Sequence, residues 1–227
     1  MLPLHDNVPT RRFPLVTVGL IAANTAVWFW ELHARGARID RYAFYPCSVS
    51  GPCTGFARDH LGWWETWLSS MFMHASWAHI VGNMLFLWIF GNNVEDSFGR
   101  LRFLLFYLAA GIVATAGQTF VTLHYAGTAA ASVPSVGASG AIAGVLGAYI
   151  VLLPTASVIT LIGIFPVPVP AVFFLGFWFL YELWQGEFSL THPVAGGGVA
   201  FFAHIAGFVF GLLTVRSLTV RPPLRPA

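Results

Sequence analysis

The chain has 227 residues, of which 57% are hydrophobic, 16% aromatic and only 9% charged. A soluble domain carries roughly 25% charged residues, so this chain cannot clothe a water-facing surface, and it is too apolar to be disordered. Two cysteines are too few for a disulfide scaffold or a cysteine zinc site, and a net charge of +2 leaves no footprint for nucleic acid.

What remains is an all-α polytopic membrane protein. A helical span needs about 20 apolar residues to cross a hydrocarbon core of about 30 Å. Six segments qualify or nearly so, at 13–30, 79–94, 101–123, 139–153, 170–185 and 200–217. The first has a longer apolar run than a signal peptide and no clear small-x-small cleavage site, so it is read as a span. The division is then a short tail at 1–12, a six-helix membrane domain at 13–217 and a second short tail at 218–227. All eleven cations are arginine. Arg11, Arg12, Arg100, Arg102, Arg216, Arg221 and Arg225 fall on one side of this topology. Arg35, Arg38, Arg41 and Arg58 share one long loop on the other side. The positive-inside rule puts both termini in the cytoplasm.

The alternating Val-Pro run at 165–170 cannot be helix interior, because each proline removes a donor and clashes with the preceding turn. Pro170 is taken as a first-turn residue of span five, and the apolar stretch 157–165 is expected to lie along the inner interface. A single kinked longer span is the rival arrangement.

Polar groups at membrane depth mark function by default. Ser139 lies 15 residues before the helix-stopping Pro154, or roughly 22 Å up a helix. His204 lies 13 residues before Ser217, roughly 20 Å up, and Asn83 lies 12 before Glu95, roughly 18 Å up, with His79 one turn higher. Three spans thus deliver polar side chains to one plane. Gly140 and Gly144 on span four, with Gly207 and Gly211 on span six, allow the two backbones to approach closely. The Ser139 hydroxyl and the His204 imidazole are then expected in hydrogen-bond contact, the histidine acting as base for a serine nucleophile. Ser139 opens its helix, where free N–H groups favour an oxyanion, and His79 and Asn83 can add side-chain donors. His74 and the serine-flanking Gly137 and Gly140 are supporting candidates. No membrane-depth aspartate is visible beside His204, so the pair reads as a dyad. The bland alternatives are helix packing for the glycine-serine segment, an interhelical bond or proton relay for the histidine, and a helix tie for Asn83. His74 and His79 without a carboxylate or thiol make a poor metal site, and neither metal nor cofactor is expected.

At these residues the sequence resembles the rhomboid family of intramembrane serine proteases, specifically a bacterial member. The matching pieces are His74-Ala75-Ser76-Trp77-Ala78-His79-Ile80-Val81-Gly82-Asn83-Met84, Phe90-Gly91-Asn92-Asn93-Val94-Glu95-Asp96, Gly137-Ala138-Ser139-Gly140 and Ala203-His204-Ile205-Ala206-Gly207. The resemblance implies a six-transmembrane-helix bundle in the bacterial inner membrane. It implies Ser139 as nucleophile, His204 as base, and His79, Asn83 and the Ser139 N–H as oxyanion stabilisers. Transmembrane protein substrates, met within the lipid bilayer, are the implied partners. The loop 34–78 would lie against the fold from the side, and span five with the loop 186–199 would gate and cap the site. Two departures stand out. Some members place a tyrosine one turn after the serine, against the histidine, where this chain has Ala143. Some carry Trp-Arg in the first loop, where this chain has Trp63-Trp64-Glu65.

Cys47 and Cys53 fall in that first loop, on the expected outer side, where an oxidising compartment favours a disulfide over free thiols. A small transporter with a buried polar path, or a catalytically silent binder of transmembrane helices, are the rival functions. The first lacks an inverted repeat and an intramembrane carboxylate facing a basic partner, Glu182 being placed near the outer end of span five, and the second typically lacks the serine or histidine that this chain keeps.

Overall fold

The computed structural model describes residues 2–34, 36–50, 53, 61–191 and 200–224. Six long helices make the bundle: α1 (Leu15–His33), α5 (Trp77–Phe98), α6 (Arg100–Val121), α8 (Ser139–Leu152), α9 (Ala171–Thr191) and α10 (Phe201–Leu218). Between α1 and α5 lie the short helices α2 (Gly36–Tyr42), α3 (Cys47–Ser50) and α4 (Trp63–Ser69); a π-helical turn at Thr122–Ala126 and the short α7 (Gly127–Ala131) follow α6. Among the described residues, α1, α6 with its π turn, and α10 are long and apolar enough to cross a membrane by length and composition alone. The other long helices are shorter or carry polar residues at depth.

The boundaries have local causes. The Ser76 hydroxyl caps α5 by accepting the His79 N–H at 3.1 Å. That helix ends at Gly99, whose φ of +78° suits only glycine, and α6 starts at the next residue. Helix α9 runs six residues beyond the expected end at Gln185, because nothing in Gly186-Glu187-Phe188-Ser189-Leu190-Thr191 breaks it. The rest of the expected cap at 192–199 lies outside the described residues, as do Arg35, Arg58 and Arg225 of the charge count.

Helix α8 is the centre of the bundle. Its residues 140–149 are all buried, against α5, α6 and α10. At 14 residues it reaches about 21 Å, too short for a hydrocarbon core of about 30 Å, and neighbouring helices rather than lipid surround it. Helices α8 and α10 touch backbone to backbone. A Cβ on Gly207 would run into the Gly140 carbonyl, one on Gly211 into the Gly144 carbonyl, and one on Gly147 into the Phe208 carbonyl. On the other side of α8, a Cβ on Gly144 would sit 2.6 Å from Ala110 Cβ of α6.

The segment 157–170 is extended and is not the start of a longer, kinked span five, which begins at Ala171. It forms β2 (Ser157–Ile162) and β3 (Phe165–Pro170), an antiparallel hairpin, and β1 (Leu2–Asp6) pairs with β2 on its other side. Prolines 166, 168 and 170 alternate, so their donorless nitrogens share the side of β3 away from β2. The Val167 and Val169 N–H groups serve the ladder, and the outer edge offers no N–H to another strand. Residues 2–6 are therefore a docked strand rather than a loose tail.

Buried polar groups clamp this end of the bundle. Glu95 accepts the Val16 N–H at 3.0 Å, the Thr17 N–H at 2.8 Å and the Thr17 hydroxyl at 2.8 Å, capping α1 from α5. The Asp6 carboxylate accepts the Tyr149 hydroxyl at 2.6 Å and the Asn93 amide at 2.7 Å, while Arg11 pairs with Asp96 at 3.1 Å. Burial holds the Asp6 carboxyl above its ordinary range despite these donors. Just beyond α10, the Val220 N–H donates to the Ser97 carbonyl at 3.0 Å.

The first loop is held by hydrogen bonds to the bundle and by a disulfide. The Ser69 hydroxyl donates to the Tyr42 carbonyl at 2.6 Å, the Ser135 N–H to the Phe44 carbonyl at 2.7 Å, and the His74 N–H to the buried Glu31 carboxylate at 3.1 Å. Cys47 and Cys53 are joined by a disulfide, with Cα atoms 5.4 Å apart.

Two outcomes check this architecture. Gly207→Val should lower thermal stability in detergent by at least the about 1–3 kcal/mol typical of overpacking, because its obstacle is a backbone carbonyl. Gly176→Ala, where a Cβ meets nothing within 4 Å, should be neutral or slightly stabilising. Parent-like melting of Gly207→Val would contradict the close helix contact. Maleimide should label Cys47 and Cys53 in native membranes only after reductant, and labelling without it would contradict the bridge.

Candidate active site

Ser139 is the first residue of α8. No side chain caps the helix at Ala138, so its first-turn N–H groups have no side-chain acceptor. The glycine contacts of α8 and α10 carry His204 alongside, and its Nε2 lies 2.8 Å from Ser139 Oγ. The expected contact is present. The side chain of His204 is 12% exposed.

The other imidazole nitrogen meets an acid that the sequence reading did not pair with it. His204 Nδ1 lies 2.7 Å from Glu182 Oε2 on α9. The sequence shows no aspartate beside His204, and the acid that the fold brings there is a glutamate. The depth arithmetic would have found it, since Glu182 lies 12 residues beyond Pro170, roughly 18 Å up and level with Asn83. One turn earlier on α9, the Trp178 ring sits 6.0 Å from the His204 ring at 37°. Both lie against His204, whereas Ala143, one turn after Ser139, is a small residue buried in α8.

Helix α5 brings His79 and Asn83 to the same cavity. The Asn83 amide donates to His74 Nε2 at 3.0 Å, and the His74 and His79 rings meet edge to face at 5.0 Å. His79 Nδ1 accepts the Ala75 N–H at 3.5 Å, which leaves Nε2 to carry the proton of the neutral ring. Gly137, at φ +129°, donates its N–H to the Ser70 carbonyl at 2.9 Å. A Cβ there would fall 2.8 Å from His79 Nε2, so any side chain would displace that ring. Gly140 and Gly207 act at the α8–α10 contact, whereas Cys47 and Cys53 do not line the cavity.

The cavity measures about 690 Å³ and is lined by Ser76, His79, Asn83, Ser139, Trp178 and His204 among others. Gln118 of α6 also lines it, accepting the Ala203 N–H at 3.2 Å and donating to the Thr122 hydroxyl at 3.0 Å. Gln118 too was absent from the sequence-derived set, being one ordinary amide in an apolar span. Among the described residues no group of three or more His, Cys, Asp or Glu side chains is arranged to hold a metal.

A hydroxyl, an imidazole and convergent donors thus line one cavity inside an apolar bundle. A Rhomboid domain family model matches residues 60–220, which contain all of these groups. The chain is 44% identical over 88 residues to Rhomboid protease GluP of Bacillus subtilis, covering 39% of this chain and 15% of that protein. It is 32% identical over 146 residues to Putative rhomboid protease YdcA of the same organism, covering 63% and 64%. It is also 32% identical over 148 residues to Rhomboid protein 1, mitochondrial, of Saccharomyces cerevisiae, covering 64% and 39%. The chain spans less than two thirds of the length of each of these relatives. With the matched segment taking in every long helix but the first, this multi-pass membrane protein belongs to the rhomboid family.

Proposed function

We propose that the protein is an intramembrane serine endopeptidase that cleaves transmembrane helices of membrane-protein substrates. The observation that carries the reading is the 2.8 Å contact of Ser139 Oγ with His204 Nε2 in a cavity that His79, Asn83 and Gln118 also line. The names of the relatives GluP and YdcA support the same activity class.

A serine hydroxyl is a weak nucleophile until a base takes its proton. In the proposed reaction Ser139 Oγ attacks the scissile carbonyl carbon while His204 Nε2 accepts the hydroxyl proton. The tetrahedral oxyanion meets the Ser139 N–H and the side chains of His79 and Asn83. His204 then passes its proton to the leaving amine, and the C–N bond breaks to leave an acyl-enzyme on Ser139. Water entering through the cavity, with His204 again as base, hydrolyses the ester and restores the hydroxyl. The unit that performs this is residues 13–217. In the proposed setting it lies in a bacterial plasma membrane with both termini cytoplasmic, which puts the catalytic level toward the outer face.

Ser139→Ala and His204→Ala should each reduce cleavage of a transmembrane test substrate by at least about 10⁴-fold while the protein still folds. Substantial cleavage by either variant would refute the mechanism, and solute flux through proteoliposomes in its place would favour a transporter. Asn83→Ala should cost about 10²–10³-fold in kcat, the loss typical of an oxyanion donor. An unchanged rate would remove Asn83 from the oxyanion hole.

A further inference from the structure

We propose that Glu182 is a positioning residue for His204, so that the site works as a Ser139–His204–Glu182 arrangement rather than a pair. The proposal rests on the base role given to His204 above. An imidazole with Nε2 against a serine hydroxyl accepts its proton only when the ring proton sits on Nδ1. Glu182 Oε2 lies 2.7 Å from that nitrogen, and the two side chains are only 7% and 12% exposed. A carboxylate there is acceptor-only, so it selects the tautomer that leaves Nε2 free. It also supplies the counter-charge when His204 becomes an imidazolium during the reaction.

The rest of α9 holds this geometry in place. Trp178, Glu182 and Gly186 recur every four residues and share one face. Trp178 packs on the His204 ring, and a Cβ on Gly186 would press against Phe202 and Ile205 of α10 at 3.3 and 3.4 Å. Phe179 stacks on Phe208 at 4.4 Å. Helix α9 is thereby registered against α10 with the carboxylate opposite Nδ1.

An ionisable group inside an apolar bundle is expensive unless it is paired. Other described carboxylates have separate employment: Glu31 receives the His74 N–H, Glu65 receives the Gly62 N–H, and Asp6, Glu95 and Asp96 clamp the sheet end. The titratable side chains facing His204 are Glu182 from α9 and, across the cavity, His79 from α5. No arginine lines the cavity among the described residues.

The test uses the full chain in proteoliposomes with a transmembrane substrate, comparing Glu182→Gln, Glu182→Asp and Glu182→Ala over a range of pH. Glu182→Gln should lose about 10²–10⁴-fold in kcat with KM within about twofold, as expected for loss of a histidine-orienting carboxylate. The acid limb of its pH profile should move to lower pH, because the imidazolium has lost its counter-charge, and Glu182→Asp should recover part of the rate. A helix tie alone would move neither the pH limb nor the kcat-to-KM split. Parent-like kcat and acid limb in Glu182→Gln, with Ser139→Ala and His204→Ala inactive, would overturn the role of Glu182 and leave the serine–histidine mechanism standing. Cleavage by Ser139→Ala would overturn that mechanism and this proposal with it. Should the variants fail to fold, ¹⁵N spectra of histidine-labelled parent protein decide: a proton on His204 Nδ1 at neutral pH supports the proposal, and one on Nε2 overturns it.

Discussion

The site depends on two helices whose backbones touch. Gly207 and Gly211 of α10 lie on the carbonyls of Gly140 and Gly144 of α8, with no room for a Cβ at either. Lipid tails are as apolar as leucine side chains, so the hydrophobic effect does not hold membrane helices together; close van der Waals packing does. That same packing sets the separation of Ser139, at the start of α8, from His204, in the first turns of α10. A bulkier interface would push the two helices apart by more than a hydrogen bond tolerates. Packing and chemistry are one constraint here, since the contact that stabilises the bundle also fixes the nucleophile against the base.

Around that contact the fold separates an end clamped by hydrogen bonds from the end that holds the cavity. At the sheet end, Glu95 caps α1, Asp6 gathers Tyr149 and Asn93, and the prolines of β3 close its edge. These bonds fix α1, α5 and α8 relative to one another. At the other end α8 starts within the bundle, and the depth it leaves unfilled is occupied by the cavity with its histidines, asparagine and glutamine. A short central helix is thus how a membrane protein brings polar groups below the surface without exposing them to hydrocarbon.

Much of this was legible in the residues. The six expected spans coincide with six long helices to within a few residues at most ends, because apolar length and the arginines, glycines and prolines that interrupt it are local signals. The level of Ser139, His204, His79 and Asn83 followed from counting residues from helix ends. Glu182 was within reach of the same count, but it was placed near the outer end of span five, and its partner is on another helix. The sheet was missed for a different reason. A short apolar run that alternates with proline has no helical period, and its pairing with residues 2–6 is a contact across more than 150 residues that no local pattern encodes. The Cys47–Cys53 bond was anticipated from the oxidising side on which the first loop was placed.

The measurement that reaches the central claim most directly needs no substrate. A fluorophosphonate reacts only with an activated serine, and mass spectrometry locates the modified residue. Contact between Ser139 and His204 requires the probe to modify Ser139 in the native membrane and requires that modification to vanish in His204→Ala with the fold intact. Equal modification of Ser139 with and without His204, or none in the parent protein, would contradict the claim that the imidazole activates this hydroxyl.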